Sequence, residues 1–325
     1  MRLLRLAVTA LGCAVVCFGQ GATLVSVKKI WDQGEHNAFT DLIRHQDRWF
    51  CTFREAGDHV SPDGKIRVIV SEDGERWQSA ALLADAGFDL RDPKISRTPD
   101  GRLMLLIGVA VKLPGGATKL HSRVSFSKDG WQWTPWSRVV GPGEWLWRVS
   151  WRGEKGYGVS YRGVGGDVDK GVLYETVDGV TYKRIRELDV PCINETTIRF
   201  RPDGEAIMLG RCDDGQHAGW IGTSRPPYRE WAWDRMTERP GGPNFILLPD
   251  GQMWAGSRKY LGDGSRRTAL WRMTPTSYEP VLEFPSGGDT SYPGMVYHQG
   301  MLWFSYYSSH EEQTSIYLAK VKFEE

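Results

Sequence analysis

A short hairpin recurs six times along this chain at a spacing of roughly fifty residues, and that period constrains the fold more than any other feature. The clearest copy lies within Asn194 to Asp213. Two β-prone runs, Thr196 to Phe200 and Ala206 to Leu209, flank the turn Pro202-Asp203-Gly204, the local signature of an antiparallel pair. The other copies turn at His45-Gln46-Asp47, Pro99-Asp100-Gly101, Gly153 to Gly156, Pro249-Asp250-Gly251 and His298-Gln299-Gly300. A four-stranded propeller blade has this repeat length, so the six turns predict an all-β, six-bladed β-propeller. One β-prone run, Leu24 to Ile30, precedes the first hairpin, and another, Thr314 to Phe323, ends the chain. Pairing them in the last blade closes the ring and removes its open edges. No linker or low-complexity tract divides residues 23–325, which read as one domain.

A second pattern falls between the hairpin turns. It reads Ser71-Glu72-Asp73-Gly74-Glu75-Arg76-Trp77, then Ser127 to Trp133, then Thr176 to Tyr182, with Thr223-Ser224 and Trp231 as a degenerate fourth copy. The hydroxyl and carboxylate suit the backbone N–H groups of a tight turn, the glycine takes positive φ, and the ring plugs the blade. Such a turn is a folding device, remote from any site.

The first residues read as an export signal over 1–22. Arg2 and Arg5 precede the apolar run Leu6 to Phe18, with small residues around Gly19 to Ala22. The run is too short to span a membrane, and the expected location is secreted or periplasmic. Ala10-Leu11-Gly12-Cys13 faintly echoes a lipoprotein site, but cleavage there leaves an unusually short apolar stretch. Export leaves Cys51, Cys192 and Cys212. Cys192 and Cys212 flank one hairpin at nearly matched distances from its turn, and read equally as a disulfide or as two buried thiols. The seven His form no ligand pattern, so no metal or cofactor is implied. A formal charge of +1 supplies no basic stripe for nucleic acid.

The repeat also predicts where chemistry gathers. Arg54, Arg162, Arg211 and Arg258 each follow the second strand of a blade, with Gly108 and Tyr307 in that place in blades 2 and 6. Asp92, Arg148, Glu195, Asn244 and Tyr292 lead into first strands. A propeller brings both sets to one mouth. Any single arginine reads as well as a surface ion pair, whereas the set together points to a polar pocket.

With its Ser-x-Asp-x-Gly turns, Asn194-Glu195 followed by Arg211, and Tyr292 ahead of a final hairpin, the chain resembles the sialidase superfamily. In that family a Tyr nucleophile is activated by a Glu, an Asp serves as acid/base, and three Arg hold the sugar carboxylate. The resemblance implies Tyr292 as nucleophile, Glu195 as its base, and Arg211 and Arg267 as carboxylate ligands. A phenol with its ordinary pKa near 10 needs such a base, and a neutral phenol is not repelled by an anionic sugar. Residues 54–64 occupy the place of the catalytic Asp; Asp63 is the choice there, with His59 as a hydrogen-bonding neighbour. His36 to Asp41 departs from the family, because it carries no arginine where the first of the three belongs. Arg54 or Arg148 would then supply that charge, and Asp92, Trp145 and Trp147 would suit a sugar. The expectation is an exo-glycosidase acting on a terminal, acidic sugar of a glycan. A non-catalytic carbohydrate-binding propeller and a protein-interaction propeller are its rivals.

Overall fold

The computed structural model describes residues 18–19, 21–112, 118–163, 170–214 and 216–324. Six antiparallel sheets make up the fold, and no helix occurs among the described residues. Five sheets each take four consecutive strands: blade 1 spans residues 36–83, blade 2 89–139, blade 3 145–187, blade 4 193–235 and blade 5 241–283. Blade 6 uses both ends of the chain. Thr290–His298, Met301–Ser308 and Ser315–Phe323 are joined by the N-terminal strand Ala22–Trp31, with Phe18–Gly19 at its edge. The closing pair runs from Ala22 opposite Phe323 to Trp31 opposite Ile316, so the two terminal β-prone runs pair as their sequences predict. The first strands of the six blades touch one another in cyclic order, which sets them around the central axis.

Each of the six recurrent turns joins the first and second strands of a blade. The core lies between neighbouring blades. In blade 2 the second strand, Leu103–Lys112, is apolar almost throughout because both of its faces are covered. Phe50, Ile66 and Val68 of blade 1 pack against Leu103, Leu105 and Ile107 of blade 2 in one cluster. Burying each such side chain contributes about 1.5–3 kcal/mol.

The second pattern forms the turns between third and fourth strands. Ser71 Oγ accepts from the Gly74 N–H at 2.8 Å, and Asp73 Oδ1 accepts from Glu75 and Arg76 at 2.8 and 2.9 Å. The Trp77 indole donates to the Gly74 carbonyl at 3.2 Å, and Trp133 repeats this with Gly130 at 3.0 Å. In the degenerate copy Trp231 donates to Tyr228 at 3.1 Å. Gly74 has φ 74°, and a Cβ there would stand 2.3 Å from the Trp303 ring of blade 6. These turns therefore wedge one blade against the one before it.

Cys192 and Cys212 are disulfide-bonded across the base of their hairpin, and Cys51 is a buried thiol. Most of the expected export signal, including Cys13, lies outside the described residues. Among the described residues no helix is long and apolar enough to cross a membrane.

Candidate active site

In every blade the register between the first two strands slips once, at the same level. The slips lie between Ala38 and Asp41, Arg91 and Lys94, and Leu146 and Val149 in blades 1 to 3. They lie between Asn194 and Thr197, Gly241 and Asn244, and Ser291 and Gly294 in blades 4 to 6. Each is a β-bulge, a device that re-aims a side chain. The first bulge residues are Phe39, Asp92, Trp147, Glu195, Gly242 and Tyr292. Five of them have positive φ: Phe39 at 64°, Asp92 at 48°, Glu195 at 25°, Gly242 at 62° and Tyr292 at 53°. Such conformations in side-chain-bearing residues cost on the order of 1–3 kcal/mol each and collect at functional sites.

The bulges bring these residues together on the axis. The Tyr292 hydroxyl donates to Glu195 Oε1 at 2.6 Å. Arg211 Nη1 lies 2.6 Å from the same oxygen and 3.3 Å from the phenol. Glu195 Oε2 accepts from the Gly242 N–H at 2.9 Å. A Cβ on Gly242 would stand 2.5 Å from the Tyr292 ring, so only glycine lets the phenol reach the carboxylate. Phe39 and Trp147 pack edge-on to Tyr292, with centroids 5.0 and 5.8 Å away. Burial first, and then the Glu195 charge, push the Tyr292 phenol well above its ordinary pKa. At neutral pH it is therefore a neutral donor to an acceptor already in place.

Arg211 is held from behind by Asp213, whose Oδ1 accepts from its Nε at 3.0 Å and from Arg239 Nε at 2.9 Å. Asn194 Nδ2 donates to Asp213 at 3.1 Å, and its buried Oδ1 has no partner among the described residues. A cavity of about 660 Å³ opens above this centre. Its lining includes Glu195, Arg211, Tyr292, Asp92, Arg91, His59 and the Trp145 and Tyr161 rings. An open cavity that gathers Glu195, Tyr292, Arg91 and Arg211 argues against a purely structural propeller. Trp145 fills the place where Gly108 lacks a side chain, because a Cβ there would lie 2.0 Å from the ring. This explains why blade 2 has no arginine at that level.

Of the expected site residues, Tyr292, Glu195, Arg211, Asp92 and His59 line this one cavity. Burial pushes the Asp92 carboxyl up, against the opposing charges of Arg91 and Lys94. The other candidates lie elsewhere. Arg54 is fully buried; it donates to Asp89 at 2.9 Å and to the Asp58 and Ser61 carbonyls at 2.7 and 2.9 Å, pinning residues 57–63. Asp63 ties that same loop to itself, accepting from the Gly57 N–H at 3.1 Å and from the Ser61 hydroxyl, and does not line the cavity. Arg148 turns down the channel to Asp41, at 2.8 Å, because it is the second residue of its bulge and faces the other way. Arg258 stands behind Tyr292, 5.6 Å from the ring, bonded to the Thr290 carbonyl at 2.8 Å and the Tyr307 hydroxyl at 3.1 Å. Arg267, on a third strand opposite Lys259, does not line the cavity and donates to the Arg266 carbonyl. Arg162 falls outside the strand register that aligns Arg54, Arg211 and Arg258.

Sequence reasoning missed Gly242, Asp289 and Lys94 as site residues. Asp289 Oδ2 accepts from His59 Nδ1 at 2.5 Å and faces His36 Nε2 at 3.3 Å; its Oδ1 accepts from the Tyr307 hydroxyl at 2.8 Å. Burial opposes its ionisation, but the bonds from His36 and His59 outweigh that and hold the carboxyl far below its usual range. One donor atom from each of His36, His59 and Asp289 lies within 4.8 Å of the others, a spacing that a metal ion could bridge. The Arg258 guanidinium, 3.3 Å from Asp289, already supplies a positive charge there. Lys94 lies just beneath the ring, its Nζ 4.5 Å from the centroid of Trp147 and 5.8 Å from that of Tyr292.

Fold and site together define a six-bladed propeller with a Tyr–Glu–Arg centre on its axis. No protein-family profile matches the sequence, and no curated protein sequence matches it. Solved structures do match. A protein of unknown function from Dyadobacter fermentans aligns with TM-score 0.82 and 17% identity, over 94% of this chain and 100% of the other. The α-L-arabinofuranosidase Arb93A of Fusarium graminearum, as a point mutant in complex with an iminosugar inhibitor, aligns at 0.71 and 14%, over 92% and 98%. Trypanosoma rangeli sialidase aligns at 0.69 and 12% over 88% of this chain, which spans 55% of the sialidase chain. The resemblance to sialidases read from the sequence therefore holds in the fold, which an arabinofuranosidase shares.

Proposed function

We propose that this protein is an exported glycoside hydrolase that removes a terminal sugar from a glycan through a Tyr292 nucleophile. The observation that carries this reading is the Tyr292 phenol donating to Glu195 at 2.6 Å, with Arg211 against both, on the floor of an open cavity. A packing tyrosine needs neither a buried carboxylate nor a strained backbone. Tyr292 Oη attacks the anomeric carbon while its proton passes to Glu195 Oε1, and Arg211 stabilises the developing negative charge. The bond to the aglycone oxygen breaks as that oxygen takes a proton from the acid/base. Water then attacks the anomeric carbon and gives a proton back to that acid/base, while Tyr292 leaves and recovers its own proton from Glu195.

His59 suits the acid/base role better than Asp63. It lines the cavity, and its Nδ1–H donates to the Asp289 carboxylate, which fixes the tautomer and the ring orientation. Asp63 is already engaged by its own loop.

The charge around the cavity favours a neutral sugar over the acidic one that the resemblance to sialidases implies. Arg91, Lys112 and Arg211 face Asp89, Asp92, Glu195 and Asp213 there. Arg91 is bound to Asp89 at 3.2 Å and Arg211 to Glu195, so neither arginine is free to clamp a substrate carboxylate. The fold is shared by an α-L-arabinofuranosidase as well as by sialidases, so it accommodates a neutral sugar. A panel of chromogenic glycosides, neutral and acidic, tests this reading beside Tyr292→Phe. Hydrolysis of a neutral member that vanishes in the variant supports it. Hydrolysis of α-sialosides alone overturns the sugar class, and saturable glycan binding without hydrolysis assigns the carbohydrate-binding alternative.

A further inference from the structure

At the opposite end of the channel from the Tyr292 cavity, where the hairpin turns of blades 1 to 3 meet, lies a second cavity of about 1020 Å³. Arg44, Arg97, Arg148 and Arg199 line it, together with Ser96, Thr98 and Ser150, and no Asp or Glu is among its described lining residues. We propose that this far mouth is an oxyanion-binding site, in which Arg148 and Arg199 hold a phosphate or sulfate group, free or as an ester.

The argument is one of uncompensated charge. Among the described residues Arg199 donates to neutral acceptors alone: Ser150 Oγ at 2.7 Å, the Ile198 carbonyl at 2.9 Å and Asn244 Oδ1 at 2.9 Å. Arg148 is 7% exposed, and its Nε is buried with no partner among the described residues. Its one carboxylate partner among the described residues, Asp41, also accepts from the Ile95 N–H at 2.9 Å. Lys94, further up the channel, bonds among the described residues only to the Pro93 carbonyl, at 3.3 Å. Lys94, Arg148 and Arg199 thus share Asp41 below the bulge ring, with Asp92 above it. Arg199 is half-buried with no carboxylate on it among the described residues, and a guanidinium offers forked donors matched to a tetrahedral oxyanion. Burial first, and then the neighbouring Arg148 charge, push Arg199 down to about 9, the direction expected of a cation lacking its counter-ion. At the rim Arg44 is paired with Asp47 at 3.1 Å, while the exposed Arg97 adds charge where a ligand enters. This site does not depend on the glycosidase reading.

Titration calorimetry of the full-length protein with inorganic phosphate, inorganic sulfate and galactose 6-sulfate, at matched ionic strength, tests the proposal. Saturable binding that falls at least tenfold in Arg199→Met is the expected result, with any binding of galactose itself unchanged by that substitution. Tighter binding of the sulfated sugar identifies an ester as the ligand, and tighter binding of the inorganic ions identifies the free anion. If Arg199→Met fails to fold, Arg97→Ser at the exposed rim serves instead and should weaken binding several-fold. Absence of saturable binding to the wild type, or equal affinity in both variants, overturns the proposal.

Discussion

Gly242 and Tyr292, from neighbouring blades, are fitted so closely that a Cβ on the glycine would stand 2.5 Å from the tyrosine ring. The Gly242 N–H and the Tyr292 hydroxyl meanwhile hold the two oxygens of one carboxylate, Glu195. The Tyr292 phenol is therefore positioned as much by a missing side chain as by those present. Gly242→Ala, at φ 62°, should lower stability by about 1–3 kcal/mol through overpacking. It should lower kcat by at least about a hundredfold, since small displacements of reacting atoms cost that much. Thermal melts and steady-state kinetics on one preparation separate the two effects. Unchanged kcat would mean that Tyr292 is not held by this contact.

His59 makes a prediction about leaving groups. His59→Ala should hydrolyse methyl or alkyl glycosides about 10²- to 10⁴-fold more slowly, the usual contribution of an acid/base. Glycosylation from a dinitrophenyl glycoside, whose leaving group needs no proton, should be nearly unaffected. Asp63→Asn should leave the ratio of the two substrates unchanged. A His59 variant that slows both substrates equally would remove it from the proton-transfer role.

Lys94 predicts a pH dependence of stability. Burial, with the nearby Arg148 charge, pushes its ammonium down to about 8 from an ordinary 10.5, against the opposing pull of Asp92, Asp41 and Glu195. Between those values the unfolded chain holds a proton that the folded chain has released, so this residue's contribution to stability rises as pH climbs from about 8 to 10.5. Below pH 8 the destabilisation is fully present, on the order of 1–3 kcal/mol. Lys94→Met should be more stable at pH 7, and its advantage should shrink toward pH 10.5. Chemical denaturation at several pH values reads both, and a constant difference would contradict the assignment.

The Cys192–Cys212 bond closes a hairpin with a sequence separation of 20 residues. By the loop-closure relation its removal costs about 3 kcal/mol. Reductant should lower the melting temperature of the wild type but leave Cys212→Ala unchanged. A wild type indifferent to reductant would argue against the bridge.

The fold was legible because its signal is repeated: six turns, three hydroxyl–Asp–Gly turns and two complementary terminal strands each point to the same ring. Glu195, Arg211 and Tyr292 were legible for a related reason, as they sit at fixed offsets from those turns. Asp92, Glu195 and Gly242 each stand nine residues before a turn glycine, at Gly101, Gly204 and Gly251. Gly242 could have been found by that count, but a glycine advertises no chemistry. The arginines misled because offset gives the level of a residue and not the direction of its side chain. Arg148 is one position past its bulge residue and so points toward the far mouth, while Arg54 and Arg258 find acceptors inside the walls. Asp289 was missed because its partners, His36 and His59, are 253 and 230 residues away in sequence.

The most direct test is to trap the intermediate. A 2-deoxy-2-fluoro glycoside of the sugar selected by the substrate panel, with an activated leaving group, should inactivate the protein with time. Peptide mass spectrometry should then find the fluoroglycosyl group on Tyr292. Labelling of another residue, or full hydrolytic activity in Tyr292→Phe, would contradict a tyrosine nucleophile at this centre.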